Sequence, residues 1–246
     1  MKKLARITEP EVIADFLRGE FYHPEYDRDR NHFESLVHTP QLNDENENAL
    51  RRELLFRRRA TMWRELPADT QWWEVELVVE DLDRIRIFPR AQWRSLAQGN
   101  YQAHHVAELI QRKLDPNKPN DLAAKILALC TLMRRESQRS TILLIGLDED
   151  GPATVLEGNH RFVAALLLPR ELMLRRLRVV CGFSPSMDQC CWYKTSLPNL
   201  FRYLKNRIKH LGGREVETRR WLQQAAQTRA VEDFARTAGL PSSKSD

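Results

Sequence analysis

The chain has 246 residues, 42% of them hydrophobic, and carries 39 lysines and arginines against 34 acids, a formal net charge of +5 at pH 7. That length and apolar fraction suffice for one large domain, or a domain with a helical extension, and make dependence on disulfides unnecessary. The charge excess is modest, compatible with anionic partners such as nucleotides or nucleic acid without requiring them.

The start, Met1-Lys2-Lys3 followed by Ala-Arg-Ile-Thr-Glu-Pro, is not a secretory signal. No apolar run approaches the roughly 20 residues of a membrane helix, so a cytoplasmic, non-membrane protein is expected. Residues 10–19 predict a short helix, with Pro10 in its first turn and Gly19 at its end. The pattern then breaks over residues 21–33. Beyond Asp44, Glu45 and Glu47, whose charges suit a helix N-terminus, Leu50, Leu54, Leu55, Met62, Trp63 and Leu66 recur at helical spacing until Pro67. Arg51, Arg52, Arg57, Arg58 and Arg59 read as a solvated face of that helix, with phosphate binding as the alternative.

From Trp72 the texture changes. Residues 72–88 are rich in valine, isoleucine and aromatics, and predict two short strands, with Trp72 and Trp73 on opposite faces and one of them in the core. Helices follow over 102–114 and 121–136; the second is apolar around so much of its circumference that it is expected to be largely buried. Residues 141–147 and 153–157 predict the two strands of a hairpin, joined by the turn Asp148-Glu149-Asp150-Gly151. A helix over 160–168 is limited by Pro169, and 174–184 supply another strand.

From Ser196 the chain reads as helical: 197–211, ended by Gly212 and Gly213, then 216–239, with residues 241–246 as an unstructured tail. Three regions result: helical 1–70, mixed α/β 71–195 and helical 196–240. Cys190 and Cys191 are adjacent, lack C-x-x-C spacing and have no histidine nearby, so neither a zinc site nor a mutual bridge is expected. His104 and His105 point about 100° apart on a helix and chelate poorly. Trp192 and Tyr193 read as packing, while Lys194 follows the last central strand closely enough to be a candidate phosphate contact. Arg202, Lys205, Arg207, Lys209 and His210, interleaved with Phe201, Tyr203, Leu204 and Ile208, suit nucleic acid or an ordinary amphipathic surface helix.

The stretch Thr154-Val-Leu-Glu-Gly-Asn-His-Arg161 carries the chemistry. A strand hands over to a helix at Gly158, which permits strained dihedrals and close approach of a ligand to the backbone. The first amides of a helix lack intrahelical acceptors and sit at the positive end of its dipole. His160 and Arg161 add donors suited to phosphate. Glu157 at the strand end can orient His160, ligate a metal or accept a proton. The plainer alternative is a cap, with Asn159 as N-cap and His160 and Arg161 in solvent.

The order of elements over residues 72–184, with Leu156-Glu-Gly-Asn-His-Arg-Phe-Val-Ala-Ala165 as its specific core, resembles the ParB/sulfiredoxin superfamily. The resemblance implies an α+β fold, a small mixed sheet of that type, here with helical N- and C-terminal extensions. In that family the turn binds nucleotide phosphates, which carried over makes Gly158, Asn159, His160 and Arg161 the binding residues for ATP or another nucleotide. Sulfiredoxins have a catalytic cysteine where this chain has Asn159, so sulfinic acid reduction is not expected. ParB proteins have an arginine at the position of His160 and a helix-turn-helix further on, which this sequence does not display. The free-serine kinases match best in motif. Their catalytic glutamate near the first strands has Glu80, Asp81 and Asp83 as candidates here. The expectation is a nucleotide- or phosphate-binding protein, a phosphotransferase using ATP and Mg²⁺ on a small hydroxyl-bearing molecule, with Glu157 and His160 catalytic. The alternative is a nucleic-acid-binding regulatory protein without catalysis.

Overall fold

The computed structural model describes residues 1–27, 30–89, 91–112 and 121–209. The chain is α+β and divides into two compact units, one of residues 1–12 and 64–201, the other of residues 13–63 with residues from 202 onward.

The first unit is built on a mixed sheet of six strands: β1 (Lys2–Ile7), β2 (Gln71–Glu76), β3 (Ile85–Ile87), β4 (Ser140–Gly146), β5 (Ala153–Glu157) and β6 (Leu177–Phe183), in the order β1-β2-β6-β4-β5-β3. β4 and β5 form the expected antiparallel hairpin, and β4 runs parallel to β6, as β3 does to β5. The inner strands β4, β5 and β6 are apolar runs buried almost throughout, because both of their faces are covered. β1 was not expected: its lysines and arginine hide the pattern. It is an edge strand, where charge is tolerated and blunts edge-to-edge pairing. Residues 1–12 therefore belong with the sheet rather than with a helical region 1–70.

One face of the sheet presents Ile85, Ile87, Ile142, Leu144, Val155, Val179 and Cys181 to a helical layer. That layer contains α5 (Ala91–Ala97), α6 (Ala103–Arg112), α7 (Asp121–Arg135) and α8 (Asn159–Leu166). Phe162, Val163, Ala164 and Ala165 of α8 are wholly buried there. α7 buries only the stripe Ala123, Ile126, Cys130 and Met133 and leaves Leu132 exposed, so it is a surface helix and not the largely buried one its composition suggests. The short α4 (Val79–Leu82), α5 and α9 (Arg170–Arg176) were also not anticipated, each being too brief for periodicity to register. Trp72 is buried and Trp73 half-buried, as their alternation predicts. On the opposite face Leu143, Ile145, Leu156 and Val180 are buried as well. Residues 184–193 run along that side: the Tyr193 hydroxyl donates to the Pro152 carbonyl at 3.0 Å, and Trp192 packs on Phe88 with ring centroids 4.7 Å apart.

The second unit contains most of α1 (Glu9–Glu20), then α2 (Arg30–His38) and α3 (Glu45–Trp63). α2 takes up only the end of the stretch read as irregular and runs on to His38, burying Phe33, Leu36 and Val37. Phe16 meets Trp63 edge-on, and the Tyr26 hydroxyl donates to the Leu54 carbonyl at 3.0 Å. The arginines of α3 are only in part a solvated face: Arg52 is exposed and Arg57 half-buried. Arg51 is fully buried, donating to the carbonyls of Leu36 and Gln41 and to Glu47, while Arg58 and Arg59 close on Glu20. α10 (Leu197–Lys209) ends the described chain; the helix expected over 216–239 and the tail 241–246 lie outside the described residues. Among the described residues no helix is long and apolar enough to cross a membrane.

Candidate functional site

β5 ends at Glu157, opposite Leu143 in the middle of β4. Gly158 then turns the chain into α8 with φ +91° and ψ +21°, a left-handed conformation that costs an L-residue with a side chain about 1–2 kcal/mol. The glycine is also confined in space. A Cβ there would stand 2.7 Å from Ile142 Cδ1 and 3.5 Å from both Arg161 Nη2 and the Thr141 carbonyl. The N-cap is thus Gly158 and not Asn159, and as a glycine it offers no side chain to cap the helix.

Asn159 is the first residue of α8 and is buried, at 8% exposure, instead of capping. Its Oδ1 finds no hydrogen-bond partner among the described residues. A buried polar atom without a partner is costly, and such groups mark places where something else binds. His160 and Arg161 are half-buried, so neither is simply in solvent. The His160 ring lies against Trp93 of α5 at 5.1 Å, and Gln92 Nε2 donates to its Nε2 at 3.1 Å, which puts the ring proton on Nδ1. Arg161 Nη2 stands 3.7 Å from Glu157 Oε1, across the turn. Both side chains are mostly buried, 28% and 16% exposed, so this cation and anion face each other in a partly desolvated setting. Nothing in the sequence pointed to Gln92 and Trp93, because 68 residues of chain separate Gln92 from His160 and only the folded sheet brings α5 and α8 together.

The other residues singled out by sequence lie elsewhere. α4 leads into β3, whose Ile85 pairs with Ala153 at the start of β5. Glu80, Asp81 and Asp83 therefore sit at the far end of the strand from Gly158, about 16 Å away by strand rise alone. Asp81 is fully buried and structural, accepting from the Val78 amide at 2.9 Å and from Arg84 at 2.5 Å, and Asp83 lies 3.5 Å from His104. None of the three can serve the turn, and Glu157 is the carboxylate that the fold brings to it. Lys194 is exposed and lies beside the first residues of β5, where Thr154 Oγ1 donates to the Tyr193 carbonyl at 3.3 Å, so it is not a partner of Gly158. Cys130, Cys181, Cys190 and Cys191 are all buried free thiols, and burial pushes Cys190 up to about 11 and Cys191 up to about 12. Among the described residues no group of three or more histidine, cysteine or acidic side chains is placed to hold a metal.

No protein-family model, no curated protein and no solved structure matches this chain.

Proposed function

We propose that the chain binds a phosphorylated ligand, a nucleotide foremost, on the N-terminal turn of α8, and passes phosphate to a small hydroxyl-bearing acceptor. The observation that carries this reading is the turn itself, the left-handed Gly158 at the positive N-terminus of α8 with the Arg161 guanidinium 3.5 Å from the place its Cβ would take. The positive end of a helix favours an anion. Arg161 reaches the same opening with a planar fork of donors that matches phosphate oxygens.

Phosphoryl transfer asks little covalent chemistry of a protein. It requires a held phosphate, spread charge and a base for the acceptor hydroxyl. Arg161 and the α8 amides hold and neutralise the phosphate. Glu157, released from Arg161 as phosphate takes its place, accepts the hydroxyl proton. His160 is held in place beside the phosphate site by Trp93 and Gln92. Mg²⁺ enters with the nucleotide as its counter-ion and so belongs to the substrate. The nucleic-acid alternative needs the arginines of α3 and the basic groups of α10 to share one face; the burial of Arg51 and the pairing of Arg58 and Arg59 with Glu20 count against the α3 half of it, while Arg202, Lys205 and Arg207 of α10 are exposed.

Calorimetric titration with ATP, CTP and GTP, with and without Mg²⁺, tests the reading. Saturable binding is expected, abolished by Arg161→Ala and weakened by His160→Ala. The absence of heat with every nucleotide, from a protein that remains folded, overturns it.

A further inference from the structure

α10 is turned inside out. At 100° per residue, Leu197, Leu200, Phe201, Leu204 and Ile208 fall within one arc of roughly 100°. That arc faces outward: Leu197, Phe201 and Ile208 are 72%, 71% and 69% exposed, with Leu204 at 49% and Leu200 at 39%. The opposite side of the helix, polar in sequence, is the covered one. Asn199 is buried, donating to the carbonyls of Asp188 and Lys194 at 2.8 Å each, and Tyr203 and Asn206 are half-buried. The spacing of these side chains is set by one continuous helix, so the apolar stripe is a property of α10 itself.

Charge accompanies the stripe. Lys205 and Arg207 are exposed and border the arc, one on each side. Residues 189–214 contain six lysines and arginines and no acid; taking these six from the chain's 39 leaves 33 basic residues against 34 acids. Four of these six, Arg202, Lys205, Arg207 and Lys209, lie within α10 itself, so most of the net positive charge of the protein accompanies the outward apolar face. We propose that α10 docks this face on an anionic lipid surface, lying in the plane of the interface with Leu197, Phe201, Leu204 and Ile208 in the acyl boundary and Lys205 and Arg207 reaching up to lipid phosphates or carboxylates. Nucleic acid would engage the cations and leave the apolar stripe in water. A second copy, paired face to face, would set these cations against like charges. An anionic membrane satisfies both features at once, and the docking is independent of any ligand at Gly158.

The test uses the full chain and flotation with two kinds of vesicle, phosphatidylcholine alone and equal parts phosphatidylcholine and phosphatidylserine. Flotation with the mixed vesicles only, weakened by salt, is expected. Phe201→Ser with Ile208→Ser, and separately Lys205→Glu with Arg207→Glu, lower binding by about tenfold or more while leaving the melting temperature unchanged, since all four side chains are exposed. A Phe201→Trp reporter shifts its emission to the blue on addition of mixed vesicles. The proposal is overturned by failure to float, or by flotation that the serine variant does not change. It is also overturned if the reporter is already blue-shifted without lipid. Concentration-independent emission would then mean that the chain's own residues cover the stripe, and emission tracking dimer formation would assign the stripe to a second copy. Binding to a DNA duplex that survives the serine variant, without flotation, would assign the cations to nucleic acid.

Discussion

Arg161 and Glu157 face each other across the Gly158 turn with 3.7 Å between Nη2 and Oε1, so the strongest cation of the site is held beside a carboxylate until an anion arrives. The two are expected to respond oppositely to substitution. Arg161→Ala removes a charge-assisted contact worth about 1.5–3 kcal/mol and weakens nucleotide binding by tenfold or more. Glu157→Gln removes a competing anion and strengthens binding, while phosphate transfer is lost. Titration of both variants beside a turnover assay checks the pair, and weaker binding by Glu157→Gln would refute the role given to it.

Gly158 is constrained by its dihedral and by its neighbour, Gly99 by its dihedral alone. At Gly99, with φ +89°, nothing lies within 4 Å of the place a Cβ would take, whereas at Gly158, with φ +91°, Ile142 Cδ1 stands 2.7 Å from it. Gly99→Ala should cost about 1 kcal/mol, and Gly158→Ala should cost more by the displacement of Ile142. Chemical denaturation of the two variants measures the difference, and equal losses would show that Ile142 yields freely.

Phe162 is completely buried where α8 meets the sheet. Phe162→Ala is expected to destabilise the first unit by about 3–5 kcal/mol through lost burial and the cavity left behind. Urea unfolding should register this as a lower midpoint at unchanged slope.

Burial pushes the Cys190 thiol from about 9 to about 11 and the Cys191 thiol to about 12, and likewise raises the Tyr26 phenol from about 10 to about 12. In each case the fold prefers the neutral form. Its contribution is fully present below the unfolded value near 9 to 10 and is lost as pH rises toward about 11 to 12, where the unfolded chain has already ionised. Stability should hold level through neutral pH and fall steeply on the alkaline side. Thiol reagents near neutral pH should label Cys190 and Cys191 far more slowly in the folded protein than in urea. Labelling at the rate of a free thiol would contradict this burial.

Much of the fold was legible because its signals are local. The apolar runs of β4, β5 and β6 and the turn between β4 and β5 announce a buried hairpin, and the stripe of Val106, Ala107 and Ile110 announces α6. Gly158 marked a strand-to-helix turn because few other residues adopt its backbone. β1 escaped because an edge strand needs no apolar alternation, and α2, α5 and α9 because one or two turns of helix leave no periodic trace. What sequence by itself determined was the identity of the turn and the chemistry of Glu157, Asn159, His160 and Arg161, since local spacing sets both. Tertiary structure alone decided which groups meet that turn: it brought Gln92 and Trp93 to His160, sent Asp81 and Asp83 to the opposite end of the sheet, and buried Arg51 of α3. The physical reason is that strand pairing and register join residues distant in the chain, and no short window of sequence contains both partners.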